Sequence, residues 1–275
     1  APLYTRAGRG IELTAEGLAL ARRARRILRE IQDADREISE LKSGLTGKVS
    51  IGSVTGPAIE HVLPAVRHAR IALPNVKIEI EIGTSDTLGP MLHDGRIDFS
   101  VARFPAGQNS SAFNMTVVGK EPLSVVARQA HPVLQRAGYD PDVPVPMSDL
   151  LHYDWVMPNE GAILRNTVNQ ALARHGYAAP ERVLSTSSFL LVLATISQTN
   201  AIAPIASSVA QAFASHHTDD PNAPYTRGLV HFIKTDVEFE VEDYGVMTRA
   251  GSALTPAAQS VLQLLCDGMG VPVPQ

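Results

Sequence analysis

Polar side chains gather at three places where a predicted β-strand gives way to a predicted helix. These junctions cover residues 53–57, 83–86 and 185–189, and each carries Ser or Thr. In a parallel α/β sheet, ligands bind at the carboxyl ends of strands, where helix N-termini present free N–H groups and a positive dipole end. The pattern predicts a cleft for a small carboxylate or a similarly polar ligand. Ordinary N-capping of helices by the same residues is the alternative.

Two further positions belong to the same hypothesis. Residues 158–161 form a fourth junction at the end of a predicted strand, and Arg103 directly follows the strand predicted for residues 97–102. Arg103 either points into the predicted cleft or forms an ion pair at the surface, and both interpretations fit the sequence.

The sequence gives little support for catalysis. Its nine His are scattered, with neither the H-E-x-x-H motif nor the Cys and His spacing of a zinc site. His216 and His217, near Asp219 and Asp220, fit a solvated loop better than a metal site. No G-x-S-x-G nucleophile elbow occurs. We therefore predict that the protein is not an enzyme and has no cofactor.

Composition narrows the class of protein. A hydrophobic share of 44% with 19% charged residues is typical of a globular chain. No apolar run is long enough for a transmembrane helix, and the N-terminus lacks the apolar stretch of a secretory signal. The single cysteine, Cys266, excludes an intramolecular disulfide and fits a reducing compartment. These features predict a cytoplasmic protein without membrane association.

The net charge of −4 is unevenly spread along the chain. Residues 1–46 contain nine Lys or Arg and seven Asp or Glu, a net charge of +2, whereas the other residues contain 15 and 21, a net charge of −6. Nucleic acid is attracted by the first part and repelled by the rest. Any DNA contact is therefore predicted to be local.

A long amphipathic helix is predicted from Thr14, a suitable N-cap, to Ser43. Apolar residues recur along it at alternating spacings of four and three, which is typical of a coiled-coil seam. Packing of the helix on its own domain is the alternative. We favour a dimer because the next segment already has the pattern of a closed α/β unit. The predicted dimerisation seam consists of Leu20, Ala24, Ile27, Ile31, Ala34, Ile38 and Leu41.

Strands and helices alternate after a predicted hinge at residues 44–47. The first series predicts a parallel sheet with helices on its faces, and it consists of strands at 48–52, 76–82 and 97–102 and helices at 57–72 and 85–93. Two separate strands follow, at 115–118 and 123–127. A second α/β unit follows from about residue 147, and the last elements predicted are strands at 229–233 and 244–248 and a helix at 255–269.

These segments together resemble the LysR-type transcriptional regulators over essentially the whole chain. Residues 2–17 are similar to the family's wing and the start of its linker helix, and residues 47–52 to the first strand of its effector domain. Residues 158–166 also resemble a subgroup that includes regulators of aromatic-acid and sugar metabolism. Further similarity lies in residues 61–64, 73–76 and 92–98 and in His131 and Pro132.

The resemblance implies a fold like that of the periplasmic binding proteins. Two Rossmann-like α/β subdomains are joined by crossing strands and preceded by a long linker helix. Most of the helix-turn-helix, with its base-reading helix, is expected to be missing. The implied limits are a wing remnant at 1–14, a linker or dimerisation helix and hinge at 15–46, effector-binding subdomain I at 47–126 plus 241–275, and subdomain II at 127–240.

Family effectors bind between the two subdomains, and their contacts carry over by position. Residues 197–201 depart from the family's Gly-rich turn, so the rim of the pocket is expected to differ there. The implied effector contacts are Thr55, Gly56, Thr84, Ser85, Arg103, Pro158, Ser187 and Phe189.

The resemblance also implies how effector binding reaches DNA. Arg6 and Arg9, in the wing, contact phosphate rather than bases. Linker helices pair in a dimer, and dimers assemble into tetramers. The effector closes the cleft and changes the spacing of the DNA-binding heads, as a shift in conformational population.

Three hypotheses compete at this point. The first is a transcriptional regulator that senses an organic or aromatic acid, with DNA, a small-molecule effector and a homodimer or homotetramer as its partners. The alternative is a solute-binding protein of a transport system, which predicts an export signal and a monomer. A small-molecule enzyme would need convergent acid–base or nucleophilic residues. The seam and the lack of a signal favour the regulator.

Overall fold

The structure is a computed structural model that describes residues 1–8, 10–43, 46–105, 107–214 and 229–274. The chain divides into two compact units. Unit 1 comprises Ala1–Val118 and Tyr244–Gln275, and unit 2 comprises Gly119–Asp243. Among the described helices, none is both long and apolar enough to cross a membrane.

The N-terminal part of unit 1 is a hairpin followed by one long helix. Strand β1 (Tyr4–Ala7) pairs antiparallel with β2 (Gly10–Leu13), and α1 (Ala15–Ser43) follows. The helix begins and ends where the sequence predicts. Helix α1 also contacts the strand at residues 47–53 and the helix at residues 256–269.

Thr14 fixes the hairpin on the start of α1. Its hydroxyl accepts a hydrogen bond from the Gly17 N–H at 3.0 Å and donates to the Pro2 carbonyl at 2.7 Å, so Thr14 is the predicted N-cap. A side chain at Gly17 would overlap the Leu3 carbonyl oxygen. Glycine at position 17 therefore lets the segment before β1 lie directly against the helix.

The remaining elements alternate as predicted through most of both units. Before the division at Val118 they are β3 (Gly47–Ser53), α2 (Thr55–Pro57), α3 (Leu63–Ala72), β4 (Val76–Ile82), α4 (Ser85–His93), β5 (Phe99–Ala102) and the start of β6 (Phe113–Ala127). After it they are α5 (Met147–Leu150), β7 (Trp155–Met157), α6 (Ile163–Arg174), β8 (Val183–Ser185), α7 (Phe189–Gln198), β9 (Ala203–Ala206), α8 (Ser207–Phe213), β10 (His231–Ile233), β11 (Phe239–Arg249) and α9 (Pro256–Met269).

In unit 1, β3 lies between two parallel neighbours, β4 and β5, and β11 pairs antiparallel with β5. Alternate residues of these strands, among them Ile51 and Phe99, are buried against α9, whose Val261 and Leu265 are almost fully buried. Each large apolar side chain buried in this way contributes roughly 1.5–3 kcal/mol. This core holds the carboxyl ends of β3, β4 and β5 in one row.

In unit 2, β9 and β10 both pair antiparallel with β6, and β7 pairs parallel with β8. The core is centred on Trp155 and Met157 of β7, which are fully buried with Leu172 of α6. The Trp155 indole N–H donates to the Leu150 carbonyl at 3.2 Å, so its one polar atom is satisfied. The parallel pair brings the ends of β7 and β8 together.

Two strands pass from one unit into the other, and both are longer than predicted. The predicted strands at 115–118 and 123–127 are one continuous strand, β6, because Gly119 and Pro122 do not interrupt it. Strand β11 begins at Phe239, not at residue 244. Buried Val237, Phe239 and Val241 alternate with exposed residues there, a strand pattern that the sequence already contains.

The helical stretch after β3 contains a π-helical turn that sequence does not predict. It runs from Ala58 to Val62, between α2 and α3. Within it the His61 Nε2 lies 2.7 Å from the Tyr244 hydroxyl of β11. Such turns insert one extra residue per turn and re-aim the side chains around them.

Candidate functional site

The junction after β3 opens the row of strand ends in unit 1. Ser53 is fully buried and its hydroxyl donates to the Val54 and Val101 carbonyls at 2.9 and 3.3 Å. Val54 is the N-cap of α2 and makes no side-chain cap. Thr55 is half-buried, and its hydroxyl makes no hydrogen bond to any residue that the structure describes. Gly56 beside it is buried, so the Thr55 hydroxyl is the polar side chain offered at this junction.

At the next junction the predicted contacts Thr84 and Ser85 both bond within the protein. Thr84 caps α4, because its hydroxyl accepts from the Thr87 N–H at 3.3 Å and lies 2.9 Å from the Thr87 hydroxyl. The N-capping alternative therefore describes the present role of Thr84. Ser85 is buried, and its hydroxyl accepts the Arg103 backbone N–H at 3.1 Å. That bond joins the end of β5 to the start of α4.

Arg103 follows β5 and is 7% exposed. A surface position is therefore excluded for this side chain. Burial of a guanidinium is costly unless polar groups surround it. Arg103 thus combines a buried side chain with a backbone position at the end of β5, joined to the start of α4.

In unit 2 the predicted contacts lie after β7 and β8. The Thr186 N–H donates to the Met157 carbonyl at 3.0 Å and so joins the two strand ends. Ser188 caps α7 by accepting from the Leu191 N–H at 3.3 Å. Ser187 is exposed, and within the described part of the chain its hydroxyl has no hydrogen-bond partner. The Phe189 ring packs at 5.7 Å from that of Phe213.

Arg165 also belongs to this junction, and the sequence analysis missed it. It lies in the first turn of α6, and its side chain is 14% exposed. Its Nη1 donates to the Ser185 hydroxyl at 2.9 Å and to the Pro158 carbonyl at 3.4 Å. The available signal was an arginine in the first turn of a helix, where an acidic residue is expected.

The predicted DNA-contact and dimerisation residues belong to the N-terminal part of unit 1. Arg6 is exposed on β1, whereas Arg9 lies outside the described residues. Along α1 the seam residues Ile27 and Ile31 are each 61% exposed, and Leu20 and Ile38 are also exposed. Ala24 is half-buried and Ala34 exposed, while the side chain of Leu41 is outside the described set.

In the part of the chain that the structure describes, no group of three or more His, Cys, Asp or Glu could hold a metal ion. Residues 216–220, with the paired histidines, lie outside it. Burial raises the pKa of the Cys266 thiol to about 11, so the thiol is protonated at neutral pH. Cys266 is part of the core of unit 1, as the sequence predicts.

Comparison with known proteins gives a consistent result. Residues 42–270 match the family described as LysR substrate binding domain. The chain is 41% identical over 220 residues to the HTH-type transcriptional regulator GbpR of Rhizobium radiobacter, covering 79% of this chain and 71% of that protein. It is 32% identical over 263 residues to GbpR of Azospirillum brasilense, covering 96% and 72%.

The fold is also found in solved structures. The effector binding domain of QuiR in complex with shikimate superposes with a TM-score of 0.58 at 14% identity, covering 80% of this chain and 95% of that one. At this identity the likeness concerns the fold alone. It confirms the predicted class, two α/β subdomains of the periplasmic-binding-protein type.

Proposed function

Because the chain belongs to the LysR family of transcriptional regulators, we propose that it senses a small organic acid, aromatic or aliphatic. The two relatives described above are HTH-type transcriptional regulators. One observation carries the choice of an acid. Each unit holds a mostly buried arginine near its strand ends, Arg103 in unit 1 and Arg165 in unit 2. A buried guanidinium is suited to a carboxylate.

The residues proposed to contact the effector lie at the strand-to-helix junctions of the two units. Hydroxyls and helix N-termini add neutral donors, which orient a small anion without competing for its charge. The effector binding domain of QuiR, which is similar in fold, was solved in complex with shikimate, a carboxylate with hydroxyl groups. We assign effector binding to Thr55, Gly56, Thr84, Ser85 and Arg103 in unit 1 and to Pro158, Ser187 and Phe189 in unit 2.

We assign oligomerisation and DNA contact to the N-terminal part of the chain. The exposed Ile27 and Ile31 lie along one seam of α1, and burying that seam against a second copy would remove it from water. Arg6 projects from a hairpin that Thr14 holds against the same helix. We propose a homodimer or homotetramer in the cytoplasm, with residues 1–14 as part of the wing and 15–46 as the linker.

Effector binding is proposed to act by population shift. An acid that binds one conformation better than another shifts the protein towards it, and a coupling of roughly 1–3 kcal/mol is enough to change DNA affinity measurably. The subdomain limits proposed for this response are 47–126 plus 241–275 and 127–240.

Thermal unfolding with a ligand panel tests the effector class. Small organic acids, aromatic acids and sugars are compared, and each acid is paired with its neutral amide at constant ionic strength. A saturable rise in Tm with an acid, and none with its amide, is expected, because only the acid offers charge to the arginines. A rise with sugars alone would contradict the proposal.

Assembly is tested separately by sedimentation. Replacing Ile31 and Ile38 with Asp places charge in the seam, and we expect the dimer to dissociate while the ligand-induced rise in Tm persists. Ile71 of α3 is exposed and lies off the seam, so its replacement with Asp is the matched control. A double variant of unchanged mass would contradict the seam.

A further inference from the structure

The first turn of α6 departs in two ways from the residue preferences of a helix start. Ala162 is the N-cap and makes no side-chain cap, although Ser, Thr, Asp and Asn are preferred there. Arg165 lies in that turn, where the positive dipole end favours acidic residues, and the turn contains none. Proteins depart from such local preferences chiefly at functional sites.

Among the residues that the structure describes, the Arg165 guanidinium donates hydrogen bonds through only one of its terminal nitrogens. Nη1 donates to the Ser185 hydroxyl and the Pro158 carbonyl, which uses both of its hydrogens. Nη2 lies 3.6 Å from the Glu160 carboxylate, too far for a hydrogen bond. Nε donates to no residue among those described. The edge formed by Nη2 and Nε is therefore fixed in direction and keeps three donors.

The nearby carboxylate of Glu160 is a weak competitor for this edge. Its side chain is 89% exposed and therefore hydrated, which weakens its attraction to the mostly buried Arg165 at such a distance. Glu160 lies in the turn that ends at Gly161, whose φ of +82° only glycine adopts readily. Rotation of the exposed Glu160 side chain into solvent is enough to clear the guanidinium edge.

We propose that Arg165 and the free N–H groups of the first turn of α6 form a receptor for the carboxylate of the ligand. The Nη2 and Nε edge binds the two oxygens side by side, an arrangement that a planar carboxylate matches. That this ligand is the effector rests on the proposed function. Among the predicted contacts, Pro158 is the one bonded to this arginine, so it positions the receptor through its carbonyl.

An acetate titration tests the receptor without knowledge of the effector. The Arg165 Nε–Hε NMR resonance, assigned by its absence in R165K, is expected to shift and saturate with acetate but not with chloride. Arg182, whose Nε lies 3.2 Å from Asp154 and whose side chain is 62% exposed, is the internal control and should not saturate. Absence of saturation at Arg165 overturns the receptor. Saturation by inorganic phosphate but not by acetate overturns its assignment to carboxylates.

A second measurement separates the receptor from the proposed function. For the organic acid that raises Tm, R165Q is expected to bind about tenfold or more weakly, since a charge-assisted pair is lost. R165K should be intermediate because it keeps the charge without the fork, and R182Q should match wild type. Circular dichroism establishes that each variant is folded.

The outcomes are distinct. Equal affinity of R165Q and wild type for that acid overturns the receptor and leaves acid sensing intact. If acetate saturates the Arg165 resonance while no acid in the panel raises Tm, the receptor is supported and the proposed function fails.

Discussion

The strand ends of the two units carry similar residues but use them differently. In unit 1 the hydroxyls of Ser53, Thr84 and Ser85 bond within the protein, and that of Thr55 is the exception. In unit 2 the Ser187 hydroxyl and one edge of Arg165 are left without a hydrogen bond to the residues described. A Ser or Thr at a helix start therefore has to be judged by its actual partner, because residue type alone does not separate capping from ligand binding.

The largest expected contrast is between two serines. Ser85→Ala leaves the buried Arg103 N–H without its acceptor, so we expect the free energy of unfolding to fall by about 1–3 kcal/mol. Ser187→Ala removes an exposed hydroxyl and should change it by less than about 0.5 kcal/mol. Urea unfolding followed by circular dichroism measures both. Equal losses would remove the difference between the two units.

A smaller contrast is expected within unit 1. Thr84→Val removes an N-cap and should cost about 1 kcal/mol, whereas Thr55→Val removes a hydroxyl without a described partner and should cost less than about 0.5 kcal/mol. If both side chains contact the effector, both variants also bind it more weakly.

The two Thr variants are informative only when stability and affinity are measured together. Thr55→Val with unchanged effector affinity would contradict its place in the site. Thr84→Val that loses stability alone would leave Thr84 as a cap.

Local patterns were enough to predict most of the fold. The bounds of β4 and the cap at Thr14 depend on a few neighbouring residues, and both appear where expected, although Ile80 and Ile82 of β4 are exposed rather than alternately buried. The continuity of β6 through Gly119 and Pro122 is not local, because a strand persists there through pairing with neighbours distant in sequence. The π turn likewise contains His61, whose partner Tyr244 lies 183 residues further on.

The candidate site was less predictable for the same reason. Junction positions follow from the order of strands and helices, so Thr55 and Ser187 could be named. The internal bond of Ser85 and the anchoring of Arg165 by Ser185 both join residues from different elements. An arginine in a helix pattern looks like a solvated side chain until its burial is known.

The smallest expected effect is a difference in acid sensitivity. Each unit buries one histidine whose pKa burial lowers, His61 in unit 1 and His131 in unit 2. Glu60 opposes the shift at His61, as the hydrogen bond to the Asn200 carbonyl does at His131, but His131 is fully buried whereas the His61 side chain is 16% exposed. The His131 Nδ1 accepts the Val133 N–H at 3.2 Å, and its Nε2 lies 3.0 Å from the Asn200 carbonyl. His131 is therefore neutral with its proton on Nε2, and protonation of Nδ1 would break the bond to Val133.

A lowered pKa fixes the sign of this effect. The stability that neutral His131 contributes is complete above the unfolded pKa of about 6.5 and is lost as pH falls through the lower folded value. Unit 2 should therefore lose stability first between pH 7 and 5, as measured by urea unfolding followed through Trp155, the protein's one tryptophan. His131→Asn, which keeps an acceptor for the Val133 N–H, should flatten that dependence, and the exposed His152 serves as the control substitution. A dependence that His131→Asn leaves intact while His61→Asn removes it would place the acid-sensitive group in unit 1 and reverse the comparison.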